Sequence, residues 1–92
     1  MIRSFRSKAL RAFAAAGDAR KLSVPNVARL RRILNQLEAA RSPEDMNLPG
    51  YRFHALKGDR RGRFAVDASG NFRVTFGWIG EDAVDVDLED YH

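Results

Sequence analysis

The sequence predicts an α+β domain in which an N-terminal strand and two helices pack on a mainly antiparallel β-sheet. The 92 residues are enough for one domain, and we assign residues 1–92 to it. Apolar residues recur every three or four positions before Gly50 and every second position after it, so helices precede strands. Glycine-containing turns separate the later apolar runs, as in a sheet of consecutive antiparallel strands.

The N-terminal half is predicted to contain a short strand and two helices. Residues 2–5 alternate apolar and polar side chains as a strand does. Residues 7–16 form an alanine-rich helix that ends at Gly17. We expect Ser23 to cap the second helix, with Pro25 in its first turn. The apolar stripe of this helix, predicted to face the core, consists of Val27, Leu30, Ile33, Leu34 and Leu37.

The C-terminal half is predicted to form four strands. They are expected at residues 51–56, 63–68, 72–78 and 84–92. The third strand has the clearest alternation, with apolar side chains at Phe72, Val74, Phe76 and Trp78. In the last strand Val84, Val86 and Leu88 are expected to share one face, opposite a row of acidic residues. Residues 57–62 form a basic hairpin loop.

Charge is distributed unevenly along the chain. Lysine and arginine number 16 and the acidic residues 12, so the net charge is +4. Residues 1–63 carry 15 basic and 5 acidic residues, whereas residues 64–92 carry 1 and 7. An arginine-rich body suits contact with phosphates and bases, and a solvated surface is the equally weighted alternative. Arg29, Arg31 and Arg32 are expected on a solvated face, with contact to RNA or a ribosome as the alternative.

Several classes of protein are excluded by composition. The chain has no cysteine and two histidines, so it lacks disulfides, a cysteine nucleophile and the ligands of a histidine-only zinc site. No apolar run approaches the roughly 20 residues of a membrane span. We see no signal peptide and expect a cytoplasmic protein. The usual nucleotide-binding and zinc-protease motifs are absent, and we expect no cofactor.

Polar residues that could take part in catalysis or binding lie on the predicted strand ends and turns. They are His54, Lys57, Arg60, Arg61, Arg63, Asn71, Arg73, Asp90, Tyr91 and His92. Singly, each has an ordinary structural explanation. A lone histidine is most often a half-buried side chain, and Arg73 can pair with the acidic last strand. Together they suit cleavage of RNA by its own 2′-hydroxyl, which needs a base, an acid and cations beside the phosphate.

The roles within such a site remain open between alternatives. His54 or His92 can act as base or acid, because imidazole titrates near neutrality. Asp90 can act as the base or orient a histidine. Lys57 and Arg73 can hold the phosphate, and Tyr91 can stack on a base or donate a proton. This chemistry requires no metal ion.

The sequence resembles the HigB-type toxins of the RelE superfamily, the toxin halves of bacterial toxin–antitoxin systems. The resemblance is carried by L-K-G-D-R-R-G-R-F-A-V at residues 56–66, G-N-F-R-V-T-F-G-W at 70–78 and the terminal D-Y-H at 90–92. M-I-R-S-F at residues 1–5, R-L-R-R-I-L at 29–34 and P-E-D-M-N-L-P-G at 43–50 are similar to the family as well. It therefore covers nearly the whole chain.

This resemblance implies a small RelE-like domain whose sheet carries the site. It implies cleavage of messenger RNA in the ribosomal A site, and hence inhibition of translation. It also implies neutralisation by a helix-turn-helix antitoxin of the HigA type, through which alone operator DNA would be bound. The implied catalytic residues are His54, Lys57, Arg73, Asp90, Tyr91 and His92. The implied RNA-binding residues are Arg60, Arg61, Arg63 and Asn71.

Two departures from the family pattern are present. Ala65 and Asp67 stand where a serine and a basic or polar residue are expected. In a regular strand Asp90 and His92 would also face away from Tyr91, so we expect the C-terminus to be irregular.

Two further readings of the sequence remain. A non-catalytic domain that binds RNA or the ribosome would use the same basic body. A protein-interaction module would use the apolar helix pair. In the toxin reading, the antitoxin is expected to present an acidic stretch to Arg29, Arg32 or the loop arginines.

Overall fold

The computed structural model describes residues 1–90 and, within them, two α-helices and a four-stranded sheet. The helices are α1 (Lys8–Ala16) and α2 (Val27–Ala39), and the strands are β1 (His54–Ala55), β2 (Arg63–Asp67), β3 (Phe72–Ile79) and β4 (Asp82–Asp90). Short 3-10 turns occupy Pro43–Met46 and Gly58–Arg60. Each strand pairs antiparallel with the next in the order β1-β2-β3-β4. The predicted α+β class is confirmed.

The N-terminal segment lies along the outer edge of β4. Ile2 forms a parallel bridge with Ala83, and Phe5 forms one with Val86. The predicted strand at residues 2–5 is therefore present as two isolated bridges. Its parallel direction makes the sheet mainly, but not wholly, antiparallel.

The ends of the helices follow from their capping residues. The Ser7 hydroxyl accepts a hydrogen bond from the Leu10 amide at 3.1 Å, and α1 ends at Gly17 in the left-handed region, at φ 72°. The prediction that α2 begins near Ser23 is wrong. Its cap is Asn26, whose Oδ1 accepts from the Arg29 amide at 3.0 Å. Asn26 is anchored there because its own amide donates to the Ser69 hydroxyl at 3.0 Å.

Both helices pack on one face of the sheet. The predicted stripe of α2 is buried at Leu30, Ile33, Leu34 and Leu37. Helix α1 contributes Leu10 and Phe13, and the sheet contributes Val66, Val74, Phe76 and Val86. Burial of these apolar side chains is the main stabilising term of the fold.

Strand β4 contains a bulge that the alternating sequence did not reveal. Thr75 pairs with Asp87 but Gly77 pairs with Val84, so β4 has one extra residue between the two pairs. Asp85 occupies the bulge at φ 49°, and its amide donates to the Ser4 hydroxyl at 2.8 Å. The expectation that Val84 shares a face with Val86 is therefore wrong.

Strand β1 is shorter than predicted. Of residues 51–56, only His54 and Ala55 pair with β2. Arg52 has a φ of 51°, which interrupts the extended chain. The Tyr51 carbonyl instead accepts a hydrogen bond from the Asp67 amide at 2.8 Å.

No helix among residues 1–90 is long and apolar enough to cross a membrane.

Candidate functional site

Among the described residues, the side of the sheet opposite the helices carries the predicted site residues His54, Arg63 and Arg73. We call it the open face. Its side chains include Arg63, Ala65 and Asp67 of β2, Arg73 and Thr75 of β3, and Asp87 and Glu89 of β4, with His54 of β1 at its edge. Alternation along each strand places these polar residues together and sends their apolar neighbours to the core.

The strand register arranges the open face in rows. His54 lies beside Ala65, which lies beside Thr75 and then Asp87. In the next row Asp67, Arg73 and Glu89 are neighbours. Because neighbouring strands are about 4.8 Å apart, His54 and the strand that carries Arg73 are separated by roughly 10 Å.

Glu89 of β4 contacts several polar groups of the open face. Its Oε1 accepts a hydrogen bond from Nη1 of Arg60 at 2.9 Å, and its Oε2 accepts from the other terminal nitrogen of the same guanidinium. The buried Thr75 hydroxyl donates to Oε2 at 2.6 Å. Nη2 of Arg73 lies 3.7 Å from Oε1. One carboxylate therefore faces two guanidinium groups and a hydroxyl.

This environment favours the ionised form of Glu89. Its pKa is lowered from the ordinary 4.5 to about 2, chiefly by the hydrogen bonds from Arg60. Partial burial opposes this shift, while the Thr75 hydroxyl and the charges of Arg60 and Arg73 add to it. Glu89 is therefore an anion at neutral pH.

The side chain of Arg63 is also held by hydrogen bonds within the protein. Its Nη2 donates to Oγ1 of Thr75 at 3.1 Å and to the carbonyl of Asp85 at 2.8 Å. Burial lowers the pKa of this guanidinium, as do the charges of Arg6 and Arg60. The bulge at Asp85 thus supplies a backbone acceptor to the open face.

His54 is exposed at the edge of the sheet. Its Nδ1 lies 2.9 Å from the carbonyl oxygen of Arg52. A carbonyl only accepts hydrogen bonds, so Nδ1 must carry the proton in this contact. In the neutral ring Nε2 is then unprotonated and can accept a proton from a substrate hydroxyl.

The remaining predicted residues lie in the loop and turn beside the open face, on the other side of the sheet, or outside the described residues. Lys57 and Arg61 are exposed in the loop at residues 57–62, and Asn71 is exposed in the β2–β3 turn. Asp90 is exposed and pairs with Phe72, so alternation along β4 places it on the side of the sheet opposite Glu89 and Arg73.

The predicted catalytic residues Tyr91 and His92 lie outside the described residues. The predicted irregularity of the C-terminus beyond Asp90 lies there as well. Up to Asp90 itself, the pairing of β4 with β3 continues.

Sequence reasoning missed Glu89 and Thr75 as parts of the site. Their signal was the acidic, outward-facing row of the last strand, which faces Arg73 across the sheet. The alternative that Arg73 pairs with this acidic strand is confirmed by its 3.7 Å approach to Glu89.

The expectation that Arg29 lies on a solvated face is wrong. Its Nη2 donates to the carbonyls of Gly50 at 2.8 Å and Asp67 at 3.1 Å. Its guanidinium also lies 5.0 Å from the ring centre of Tyr51. Arg29 therefore joins α2 to the segment around β1 instead of belonging to a solvated face, whereas Arg32 is exposed.

Within residues 1–90 no three histidine or carboxylate side chains are grouped so that they could share a metal ion. The open face offers cations, carboxylates and an imidazole. Guanidinium groups can hold a phosphate, and the imidazole of His54 can move a proton.

The chain is similar to known proteins over nearly its whole length. The family model described as the RelE-like toxin of the type II toxin–antitoxin system HigB matches residues 3–92. A Proteus vulgaris protein named Endoribonuclease HigB is 34% identical over 92 residues, which cover the full length of both chains. The chain belongs to the HigB-like family of RelE-like toxins of type II toxin–antitoxin systems.

Proposed function

We propose that this protein is an endoribonuclease that cleaves messenger RNA in the ribosomal A site and thereby inhibits translation. The proposal is supported most directly by the open face, which holds the exposed imidazole of His54 and the guanidinium of Arg73 on the same side of the sheet. The Proteus vulgaris relative, by its name an endoribonuclease, supports the same activity.

In the proposed reaction the 2′-hydroxyl of the RNA attacks the adjacent phosphate. A base takes the proton of this hydroxyl, and an acid protonates the departing 5′-oxygen. His54 suits the role of base, because in the neutral ring Nε2 is unprotonated when Nδ1 donates to the Arg52 carbonyl. Arg73 and Lys57 would stabilise the charge that develops on the phosphate.

The C-terminal residues complete the proposed site. Asp90, Tyr91 and His92 would supply the second proton-transfer group and a contact to a base. The reaction needs no metal ion, since the cations and proton carriers are side chains.

The proposed RNA-binding residues differ in whether their side chains already bind other groups of the protein. Arg61 and Asn71 present exposed side chains to a strand of RNA. Arg60 and Arg63 would have to exchange protein acceptors for phosphate oxygens in order to bind it. The acidic Asp67, which lies 3.6 Å from Arg52, lowers the positive charge at this end of the sheet.

The proposed partners are the ribosome, its messenger RNA and an antitoxin. We propose a helix-turn-helix antitoxin of the HigA type, which would also mediate any contact with operator DNA. An acidic stretch of this antitoxin would face Arg32 or Arg61, which are exposed, and not Arg29. These partners imply a cytoplasmic location.

The test is cleavage of messenger RNA by the purified protein, with and without programmed ribosomes. Arg73→Ala is expected to slow cleavage about 100- to 1,000-fold, as loss of one group that stabilises transition-state charge does. A variant lacking residues 90–92 is expected to be inactive while it still folds and binds ribosomes. Arg20→Ala, which removes an exposed arginine between the helices, is the matched control and should cleave normally.

Other outcomes would redirect the interpretation. A folded protein that binds ribosomes but cleaves nothing would be a non-catalytic binding domain. Cleavage of free RNA at an unchanged rate would show that the site needs no ribosome.

A further inference from the structure

The open face carries an acidic residue, Glu89, among its arginines, and a carboxylate there is unfavourable for phosphate binding. Glu89 contacts Arg60 through both oxygens and lies 3.7 Å from Arg73. We infer that Glu89 is a positioning residue for RNA cleavage, which holds Arg73 in place and fastens the loop at residues 57–62 to the sheet through Arg60. This inference rests on the proposed endoribonuclease function.

The loop at residues 57–62 has few other attachments near Glu89. Its described backbone hydrogen bonds are local, from the Arg60 amide to the Lys57 carbonyl at 3.3 Å and from the Arg61 amide to the Gly58 carbonyl at 3.1 Å. The contact of Arg60 with Glu89 joins residues that are 29 positions apart. Because both guanidinium nitrogens take part, the contact sets the orientation of Arg60 as well as its distance.

Glu89 also separates positive charges that would otherwise repel one another. Arg60 and Arg73 approach the same carboxylate, and Arg63 reaches it through the Thr75 hydroxyl, which accepts from Arg63 and donates to Glu89. The side chains of Arg73 and Glu89 are only 18% and 20% exposed, so water screens this charge cluster less than it would at an open surface. A neutral residue at position 89 would leave three guanidinium groups without their shared counterion.

Removal of the Glu89 charge is expected to affect RNA binding and the cleavage rate in opposite directions. Removal of the Glu89 charge makes the face more positive, so RNA should bind as well as before or more tightly. The loop should lose its attachment to the sheet and Arg73 should lose one of its contacts, so the cleavage step should slow. A residue needed only for folding would not separate the two quantities in this direction.

The same argument gives Arg60 a role that differs from direct RNA binding. If Arg60 acts through Glu89, Arg60→Ala should lower the maximal cleavage rate without raising the ribosome concentration that gives half of it. If Arg60 binds phosphate itself, that concentration should rise and the maximal rate should change little.

The experiment compares cleavage on programmed ribosomes by wild type, Glu89→Gln, Arg60→Ala and the double variant. We expect a maximal rate about ten- to a hundredfold lower in Glu89→Gln, with a half-saturating ribosome concentration equal to or below that of wild type. The double variant should be no slower than the slower single variant, because both remove the same link. Asp82→Asn, which loses an arginine pair at the far end of β4, should cleave like wild type.

Each result decides between defined outcomes. An unchanged rate in Glu89→Gln, or a raised half-saturating concentration at an unchanged rate, overturns the inference while wild-type cleavage upholds the proposed function. Absence of cleavage by wild type overturns the proposed function and this inference with it. Circular dichroism verifies the fold of each variant. If Glu89→Gln does not fold, Glu89→Asp, which keeps the charge but has a shorter side chain, must show a lowered maximal rate without a raised half-saturating ribosome concentration.

Discussion

Glu89 should contribute measurably to stability, and its contribution should depend on pH in a specific way. The difference between a pKa of about 2 in the folded protein and the ordinary 4.5 corresponds to about 3 kcal/mol. Solvent reaches a fifth of the side chain, and screening reduces the net value to about 2 kcal/mol. We therefore predict that Glu89→Gln lowers the free energy of unfolding at neutral pH by about 2 kcal/mol, and the melting temperature by roughly 10 °C.

The direction of the pH dependence follows from the lowered pKa. A carboxyl group that is more acidic when folded stabilises the fold fully above its unfolded pKa, and this stabilisation is lost as pH falls towards its folded pKa. The difference in unfolding free energy between wild type and Glu89→Gln should be constant above about pH 5.5 and should decrease as the pH falls below the ordinary pKa of 4.5. It should be almost gone at about pH 2. More than half of it should be lost by about pH 3.

Urea denaturation of both proteins across this pH range measures the difference directly. All other titrating groups are common to the two proteins, so the difference curve isolates residue 89. Glu81→Gln makes the same chemical change at an exposed position of the β3–β4 turn, and its effect should stay below about 0.5 kcal/mol. Parallel stability curves for wild type and Glu89→Gln down to about pH 3 would refute the reasoning.

Three further predictions concern Arg29, Gly58 and association with the antitoxin. Arg29→Ala should lower the free energy of unfolding by about 2–4 kcal/mol, because two carbonyls lose a charged donor and an aromatic ring loses its cation. Thermal unfolding measures this, with the exposed Arg32→Ala as the control, and equal melting temperatures for the two variants would contradict it. Gly58→Ala should cost about 1 kcal/mol through its φ of 67° alone, since nothing lies within 4 Å of the added methyl group; an unchanged urea midpoint would exclude that strain. Association with the antitoxin should slow as salt is raised, and slow further in Arg32→Glu or Arg61→Glu; stopped-flow rates insensitive to salt would argue against an acidic partner surface.

The sequence was informative wherever a property depends on neighbouring positions. The three-to-four spacing of Leu30, Ile33, Leu34 and Leu37 predicts a buried helical stripe, and all four are buried. The two-residue alternation from Phe72 onward predicts β3. Both predictions succeed because helix and strand periods are local geometry, and burial of apolar side chains selects the face.

Some local signals were misread because a distant contact competes with them. Ser23 and Pro25 form an acceptable helix start, but Asn26 is held by Ser69 from the β2–β3 turn and caps α2 instead. The even alternation of β4 conceals the bulge at Asp85, whose amide binds Ser4 from the N-terminal segment. Neither partner is near in sequence, so no local pattern predicts the contact.

By itself, the sequence determined the α+β class, the buried stripe of α2, the asymmetry of charge and the family that the chain resembles. Only the tertiary structure decided which charged groups meet. The register between β3 and β4 places Glu89 beside Arg73, and the fold of the loop at residues 57–62 brings Arg60 to the same carboxylate. Composition reports how many charges a chain carries, but the free energy of each depends on its distance to other charges and on its burial. Those quantities exist only once the strands have paired.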